Sequence, residues 1–496
     1  MSLKRQIAGG LFWVSLAQLA SRGLSFVTML ILAKLLAPAM FGLVGMAMLA
    51  IAALQYFQDI GFDAALVYRR DDVNEASYTA FSTVIVTSLL VYLIAVAAAP
   101  LVAAFFRQPN VVPILRVLAL TVPISSFGRV PYILLSRDLD FRRKIFPELT
   151  ANVIGSGASI VFALNGQGVW SLVWGQLMRT TLAMLLVWPV TRWRPRLRFD
   201  RQAAREMFSY GKHIVSSQTL IFLITNVDDA IVGRYAGQAA LGFYQFAYNL
   251  SNTPATQITS VVSQVMFPAF ARMEGDVGQL RARYYLTTVR YVAWITVPMA
   301  VATILFAPEF IRGLYGDVWA PAILSLQLLA VYGFIRSIAA NMGSIFRAMG
   351  KPQWLTYIAT WRLATMLIFL YPVTKRWGID GVSALSAVVA VIDFGISASL
   401  VGRLVEVPWR AYVTMLIPSG AAALVAGLAA HWIYPSLPLP KAAWNLVLTG
   451  TLLVLLYAVL AWLIDRELRA AVQMILKQLR RLYRERVAAN RAVAEL

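Results

Sequence analysis

The sequence comprises 496 residues, of which 59% are hydrophobic and only 14% are charged, and its formal net charge is +21. A soluble protein of this length needs more polar residues to cover its surface. There is no cysteine and there are only two histidines, which excludes disulfides and thiolate nucleophiles and disfavours a zinc site or a histidine acid–base centre. A P-loop motif is also absent from the sequence. We therefore expect no cofactor, no metal ion and no catalytic residue.

The predicted elements are helices that cross a membrane. Apolar stretches of about 20 to 25 residues alternate with short charged segments, and one such stretch is long enough to cross the ~30 Å hydrocarbon core. The first stretch begins as a signal peptide would, but its apolar run continues to Ala33, so we interpret it as a retained span. The predicted fold class is an all-α membrane protein with fourteen spans, at 11–33, 41–63, 79–105, 112–135, 145–164, 168–190, 210–233, 240–270, 286–307, 321–346, 354–374, 380–402, 412–433 and 443–464.

The distribution of lysine and arginine predicts the orientation, because cytoplasmic loops are enriched in both. With the N-terminus inside, 31 of the 44 basic residues lie in inner segments, seven lie in outer segments and six fall within spans. Both termini are therefore predicted to be cytoplasmic. The basic residues are spread over many inner segments, so the net charge is a topology signal and no nucleic-acid partner is expected.

The two halves of the chain resemble each other. KLLAPAMFGLVGMAMLA (34–50) aligns with RYAGQAALGFYQFAYNL (234–250) at an offset of 200, so that Gly42 coincides with Gly242. Six spans per half predict a parallel repeat and two pseudo-symmetric bundles around a cavity, which is an architecture of transporters. The predicted organisation is an N-terminal six-helix bundle, a basic cytoplasmic linker, a C-terminal six-helix bundle, two additional spans and a basic amphipathic cytoplasmic tail, at 1–190, 191–209, 210–403, 404–465 and 466–496.

The predicted tail repeats apolar residues among basic ones, with Leu468 and Leu482 among them. This pattern is typical of a helix that lies on anionic lipid, and docking to a protein partner is the alternative.

Arginines within the spans are the candidate substrate ligands. A charge at membrane depth costs several kcal/mol and usually faces a bundle interior or water. The alternative for each arginine is a structural role, paired with an aspartate or with a helix C-terminus. The cavity candidates are Arg22, Arg129, Arg179, Arg336 and Arg362.

A second set of charges lies near the outer end of the seventh predicted span, in NVDDAIVGRYAG (226–237). Asp228 and Asp229 are adjacent, and Arg234 follows within two turns. One interpretation is that one aspartate pairs with a neighbouring helix while the other faces the cavity. The other is a direct role in binding an ion or substrate. Together with Asp393 of the twelfth span, these three residues are our candidates for ion coupling or gating.

Five segments of the chain are characteristic when taken together. They are SFVTMLILAKLLAPAMFGLVGMA (25–47), DIGFDAALVYRRDD (59–72), LLSRDLDFRRK (134–144), NVDDAIVGRYAGQAALGFYQFAYNL (226–250) and VMFPAFARM (265–273). They resemble the polysaccharide-transporter family, the Wzx-like branch of the multidrug/oligosaccharidyl-lipid/polysaccharide (MOP) exporter superfamily, and colanic-acid exporters are among the proteins they resemble. The resemblance implies fourteen helices, alternating access and a bacterial inner-membrane flippase for an oligosaccharide on undecaprenyl diphosphate. It also suggests a polysaccharide polymerase and a chain-length regulator as candidate partners, and Asp228 and Arg234 lie in a matching segment.

Arginines at depth suit a diphosphate headgroup better than a cationic drug, because the guanidinium group binds phosphate oxygens in a fork. Two related functions stay open as alternatives. One is a multidrug antiporter that uses Asp228, Asp229 or Asp393 for cation exchange, and the other is a lipid II flippase. A membrane enzyme acting on lipid-linked sugars is disfavoured, because no loop is long enough to hold a catalytic site.

Overall fold

The prediction of an all-α membrane protein is confirmed by the computed structural model, which describes residues 3–58, 66, 73–138, 140–196, 198–252, 278–436, 442–470 and 473. Within these residues, nine helical segments are long and apolar enough to cross a membrane. The helices are α1 Leu3–Leu35, α2 Pro38–Gln58, α3 Val73–Phe106, α4 Val111–Leu118, α5 Thr121–Arg137, α6 Phe141–Leu164, α7 Val169–Val190, α8 Arg201–Tyr235, α9 238–252, α10 Gly278–Tyr315, α11 Ala322–Ala348, α12 Gln353–Val405, α13 Trp409–Ile433 and α14 Ala442–Ile464.

Beyond shifts of several residues at helix ends, the division of the chain into helices differs from the predicted spans in two places. The fourth predicted span is two helices, α4 and α5, which meet at Ala119 and Leu120. The eleventh and twelfth spans form one element, α12, interrupted at Gly378, where φ is 58°. A positive φ is readily adopted by glycine, so the chain bends there without an intervening loop.

The predicted linker 191–209 is non-helical only in its first half, because α8 begins at Arg201. The Asp200 carboxylate accepts a hydrogen bond of 2.7 Å from the Gln202 amide, which is an N-capping interaction. The Asp200 amide donates to the Thr79 hydroxyl at 3.1 Å, and Arg198 pairs with Glu75 at 3.1 Å. The linker is thus held against α3. Three other predictions, the end of the second span (59–63), the end of the eighth span (253–270) and most of the tail (471–472 and 474–496), lie outside the described residues.

The chain forms two compact units. The first comprises Met1–Phe246 with Arg362–Leu385, and the second comprises Ala247–Trp361 with Ser386–Leu496.

In the first unit, α2 and α9 cross at the two glycines that the internal repeat aligns. A Cβ added at Gly42 would lie 1.7 Å from the Gln238 carbonyl oxygen, and one added at Gly242 would lie 1.9 Å from the Pro38 carbonyl oxygen. Pro38 and Gln238 are themselves separated by the repeat offset. The contact is therefore reciprocal, as in a two-fold interface. Only glycine lets the two backbones approach this closely.

In the second unit, the core packs α10 against α11, α12 and α13. Tyr285, Met342, Phe346 and Tyr412 are almost fully buried there. The Tyr412 hydroxyl donates to that of Tyr285 at 3.1 Å, so the two buried phenol groups satisfy each other.

Candidate functional site

A cavity of about 720 Å³ lies between α1, α5, α6 and α7 in the first unit. Its polar lining comes from one face of each helix, because residues three and four apart share a helix face. On α5 the spacing runs Ser125, Arg129, Tyr132, Ser136, and on α6 it runs Lys144, Glu148, Asn152. The remaining polar lining residues are Ser21, Arg22 and Ser25 of α1 and Arg179 and Thr180 of α7.

Hydrogen bonds between the helices hold the walls of the cavity together, and one of them joins the Lys144 ammonium group of α6 to the Ser136 hydroxyl of α5 at 2.9 Å. The Asn152 amide of α6 donates to the Ser21 carbonyl oxygen of α1 at 3.0 Å, and the Tyr132 hydroxyl of α5 donates to the Ala183 carbonyl oxygen of α7 at 3.1 Å. The relative positions of the four helices are therefore fixed by polar contacts as well as by apolar packing.

The position of Arg179 depends on a close crossing of α6 and α7. A Cβ added at Gly155 would lie 2.6 Å from the Arg179 Cβ and 3.0 Å from its Cα, and one added at Gly175 would lie 1.7 Å from the Ser159 hydroxyl. Glycines at both positions let the helices touch, as small residues do at helix interfaces in membranes. The backbone of Arg179 therefore lies directly against α6.

The cavity is strongly cationic. Four basic side chains line it, Arg22, Arg129, Lys144 and Arg179, against one carboxylate, Glu148. Within the part of the chain that the structure describes, Arg22 and Arg179 make no hydrogen bond or ion pair, and both side chains are exposed. Two guanidinium groups are therefore available to an anionic ligand.

The other two predicted cavity arginines do not line this cavity. Arg336 lies on α11 in the second unit, where it donates to the Tyr332 hydroxyl at 2.7 Å and lies over the Tyr332 ring at 5.5 Å. The buried Asp393 is within electrostatic range of the same guanidinium. Arg362 is half-buried on α12. For Arg336 the observed contacts are those of the structural alternative.

Asp228 and Asp229 both bind α9. A side-chain oxygen of Asp228 accepts a hydrogen bond of 2.7 Å from the Tyr244 hydroxyl, and one of Asp229 accepts a bond of 2.9 Å from the Gln245 amide. The two partners are adjacent in α9, as the two aspartates are in α8. Neither carboxylate lines the cationic cavity.

Arg234 lies within two turns of the aspartates in sequence, but its observed contacts are with α3. Its guanidinium donates to the carbonyl oxygens of Ala104 and Phe105, and it lies over the Phe105 ring at 5.4 Å. These carbonyl groups belong to the last turn of a helix, where they lack partners within the helix and carry partial negative charge. Arg234 therefore caps α3.

Sequence reasoning did not single out Lys144, Glu148, Asn152 and Tyr132 as site residues. The predicted fourth and fifth spans, 112–135 and 145–164, leave Lys144 in the inner segment between them. The available signal was the spacing of Lys144, Glu148 and Asn152 at intervals of four, which aligns polar groups along one face of an otherwise apolar helix.

Comparison with known proteins identifies the family. The profile of the family described as polysaccharide biosynthesis protein matches residues 31–324, more than half of the chain. The chain belongs to this family. It is similar to teichuronic acid biosynthesis protein TuaB of Bacillus subtilis (strain 168), with 25% identity over 83% of this chain and 85% of that protein. Lipopolysaccharide biosynthesis protein WzxC of Escherichia coli (strain K12) is 24% identical over 71% and 72% of the two chains. Succinoglycan biosynthesis transport protein ExoT of Rhizobium meliloti (strain 1021) is 29% identical over 64% of each.

Solved structures agree with the fold of this polysaccharide biosynthesis protein. Lipid II flippase MurJ, in an inward closed conformation, is similar with a TM-score of 0.74 and 14% identity, covering 92% of this chain and 99% of that one. An inward-facing multidrug resistance MATE family transporter of the MOP superfamily has a TM-score of 0.61 and 16% identity, covering 80% and 98%. The protein is therefore a multi-pass membrane protein with the MOP-type helical fold.

Proposed function

We propose that this polysaccharide biosynthesis protein is a flippase that moves undecaprenyl-diphosphate-linked oligosaccharides from the cytoplasmic to the periplasmic leaflet by alternating access. The observation that carries the proposal is the cavity lined by Arg22, Arg129, Lys144 and Arg179, in which Arg22 and Arg179 have no protein partner among the described residues. We assign it to the bacterial inner membrane with both termini cytoplasmic, where a polysaccharide polymerase and a chain-length regulator are candidate partners.

A cation without a partner at membrane depth costs several kcal/mol, and an anionic ligand that enters the site offsets this cost. A diphosphate suits the site because a guanidinium group donates two parallel hydrogen bonds to phosphate oxygens. The sugar hydroxyls can interact with the serine, threonine, tyrosine and asparagine side chains of the same cavity. The prenyl chain, which is apolar, stays in the lipid.

The membrane potential provides a driving force for this export. Moving one negative charge outward from a negative interior is favourable by about 2.3 kcal/mol per 100 mV. For a headgroup with two charges the gain is about 4 to 5 kcal/mol, so the proposed transport requires no nucleotide hydrolysis. The alternative function, an antiporter for cationic drugs, is less consistent with this cavity, because a cationic cavity repels a cationic substrate. Asp228 and Asp229 also form hydrogen bonds with Tyr244 and Gln245, which supports a structural role for these carboxylates over cation exchange.

The test is binding and export by alanine variants of the two unpartnered arginines. Arg22→Ala or Arg179→Ala should weaken binding of undecaprenyl diphosphate by about tenfold or more, since a hydrogen bond to a charged group contributes about 1.5 to 3 kcal/mol. Lysine at the same positions keeps the charge and should retain part of the affinity. Surface polysaccharide in a strain lacking the native chain should fall in parallel.

Arg116→Ala is the matched control, because Arg116 is an exposed span arginine of α4 that does not line the cavity. Each variant's level in the membrane is measured alongside. Normal binding and export by both Arg22→Ala and Arg179→Ala would exclude the cavity as the headgroup site.

A further inference from the structure

The single carboxylate of the cavity is not explained by recognition of a diphosphate. Glu148 lies on α6 between Lys144, one turn before it, and Asn152, one turn after it, and all three line the cavity. A carboxylate accepts hydrogen bonds but cannot donate them, and phosphate oxygens also only accept. Glu148 therefore repels a diphosphate that the arginines attract.

An ion pair with Lys144 does not account for Glu148 either. The two side chains interact electrostatically. However, pairs four residues apart on a helix contribute much less free energy than it costs to hold a carboxylate within a membrane span. The Glu148 charge also acts on the Tyr132 hydroxyl of α5. Glu148 thus lies where α5 and α6 face the same space.

Asn152 adds an acceptor to the same wall. Its amide nitrogen donates to the Ser21 carbonyl oxygen at 3.0 Å, which fixes the orientation of the side chain. Its side-chain oxygen is buried and has no hydrogen-bond partner among the described residues. Buried acceptors are almost always satisfied in native proteins, so this oxygen has unused capacity to accept a hydrogen bond on the wall that it shares with Glu148.

We propose that the α6 wall of the cavity, with Glu148 as the principal acceptor and Asn152 and Lys144 beside it, binds hydroxyl groups of the sugar attached to the diphosphate. Sugar hydroxyls donate to the acceptors and accept from the ammonium group, whereas the diphosphate binds Arg22 and Arg179. Glu148 is then a specificity-determining residue. This inference rests on the proposed function, since it requires a lipid-linked saccharide in the cavity.

The experiment measures binding to the purified full-length protein in lipid nanodiscs. The probes are undecaprenyl diphosphate and its glucosyl, galactosyl and N-acetylglucosaminyl derivatives. The wild-type protein should bind at least one sugar-bearing probe about tenfold more tightly than undecaprenyl diphosphate, because hydrogen bonds to a charged acceptor are added. Glu148→Gln should abolish this difference.

Glu148→Gln should weaken binding of the sugar-bearing probe without weakening binding of undecaprenyl diphosphate. Removal of the negative charge leaves the affinity for undecaprenyl diphosphate unchanged or increases it, whereas the sugar-bearing probe binds more weakly. Glu148→Asp, which keeps the carboxylate, should retain part of the sugar preference. Glu75→Gln is the control, because Glu75 forms an exposed ion pair with Arg198 outside the cavity.

Three results would overturn the inference and leave the proposed function intact. They are a wild-type protein that binds all four probes equally, a sugar preference that persists in Glu148→Gln, and an equal loss of affinity for both probe classes. If undecaprenyl diphosphate does not bind to the wild-type protein, or if neither Arg22→Ala nor Arg179→Ala weakens its binding, the proposed function fails and this inference fails with it.

Discussion

The close crossing of α2 and α9 predicts that alanine at Gly42 destabilises the protein, whereas alanine at a helical glycine outside the crossing, Gly157, does not. Alanine at position 42 would put its Cβ 1.7 Å from the Gln238 carbonyl oxygen. Normal contact requires the two backbones to separate by about 2 Å, and gaps of this size forfeit much of the dispersion energy between the surfaces. Overpacking of this kind costs about 1 to 3 kcal/mol.

The matched control is Gly157→Ala on α6, where an added Cβ would meet no atom within 4 Å. Alanine in an open helical position stabilises a helix by about 0.5 to 1 kcal/mol relative to glycine. The apparent melting temperature of the purified protein should therefore fall for Gly42→Ala and stay equal or rise for Gly157→Ala. A circular dichroism or thermal-shift measurement in one detergent is sufficient.

The double variant tests whether the contact is reciprocal. Gly242→Ala should destabilise the protein as Gly42→Ala does, because its Cβ would lie 1.9 Å from the Pro38 carbonyl oxygen. Once one alanine has separated the helices, the second finds more space, so the double variant should lose less stability than the sum of the two single variants. Wild-type stability in Gly42→Ala, or strict additivity in the double variant, would refute the crossing.

Two further predictions concern the second unit and the topology. The pKa of Asp465 is depressed, because burial, which raises it, is outweighed by hydrogen bonds from the Leu468 amide, Arg290 and Trp294. The ionised Asp465 carboxylate contributes to the free energy of unfolding at any pH above its unfolded-state pKa. This contribution is lost as the pH falls through the folded-state pKa, so the stability of the protein should decline only below about pH 4. Asp465→Asn should cost about 1.5 to 3 kcal/mol near neutral pH, because it removes charge-assisted hydrogen bonds while Arg290 keeps its ion pair with Glu467. The variant should also lose this acid dependence, and equal melting of the variant and the wild type would contradict the prediction. In the cysteine-free chain, Gln167→Cys should react with an impermeant thiol reagent in whole cells, whereas Gln202→Cys should react only after permeabilisation; the opposite pattern would reverse the orientation.

The number and order of the spans could be predicted from the sequence, because the length of an apolar run and the charges that flank it are local properties. The interruptions were harder to predict. The break at Gly378 lies between the predicted ends of the eleventh and twelfth spans, at 374 and 380, but the chain bends there without a loop. The break between α4 and α5 and the helix start at Arg201, which follows the Asp200 cap, were not predicted, because neither changes the hydropathy enough to be detected as a boundary.

The candidate site could be predicted only in part, because the partner of a charge is a tertiary property. Arg22, Arg129 and Arg179 were selected for their depth, and the structure brings all three to one cavity. Arg336 satisfied the same criterion, but it contacts Tyr332. Glu148 and Lys144 were missed because they lie near the beginning of α6, where charges are usually attributed to the interface between lipid and water.

The cavity arginines of the first unit differ from the charged residues of the second unit, and this difference bears on how transport can be driven. In the second unit, Arg336 contacts Tyr332 within electrostatic range of Asp393, and Arg290 pairs with Asp465 at 2.7 Å. These contacts within the protein offset the free-energy cost of removing the charges from water. In the first unit, Arg22 and Arg179 make no such contact among the described residues. Because only an unpartnered cation gains a new interaction when an anionic headgroup arrives, the first unit is where binding energy can be coupled to a change of conformation.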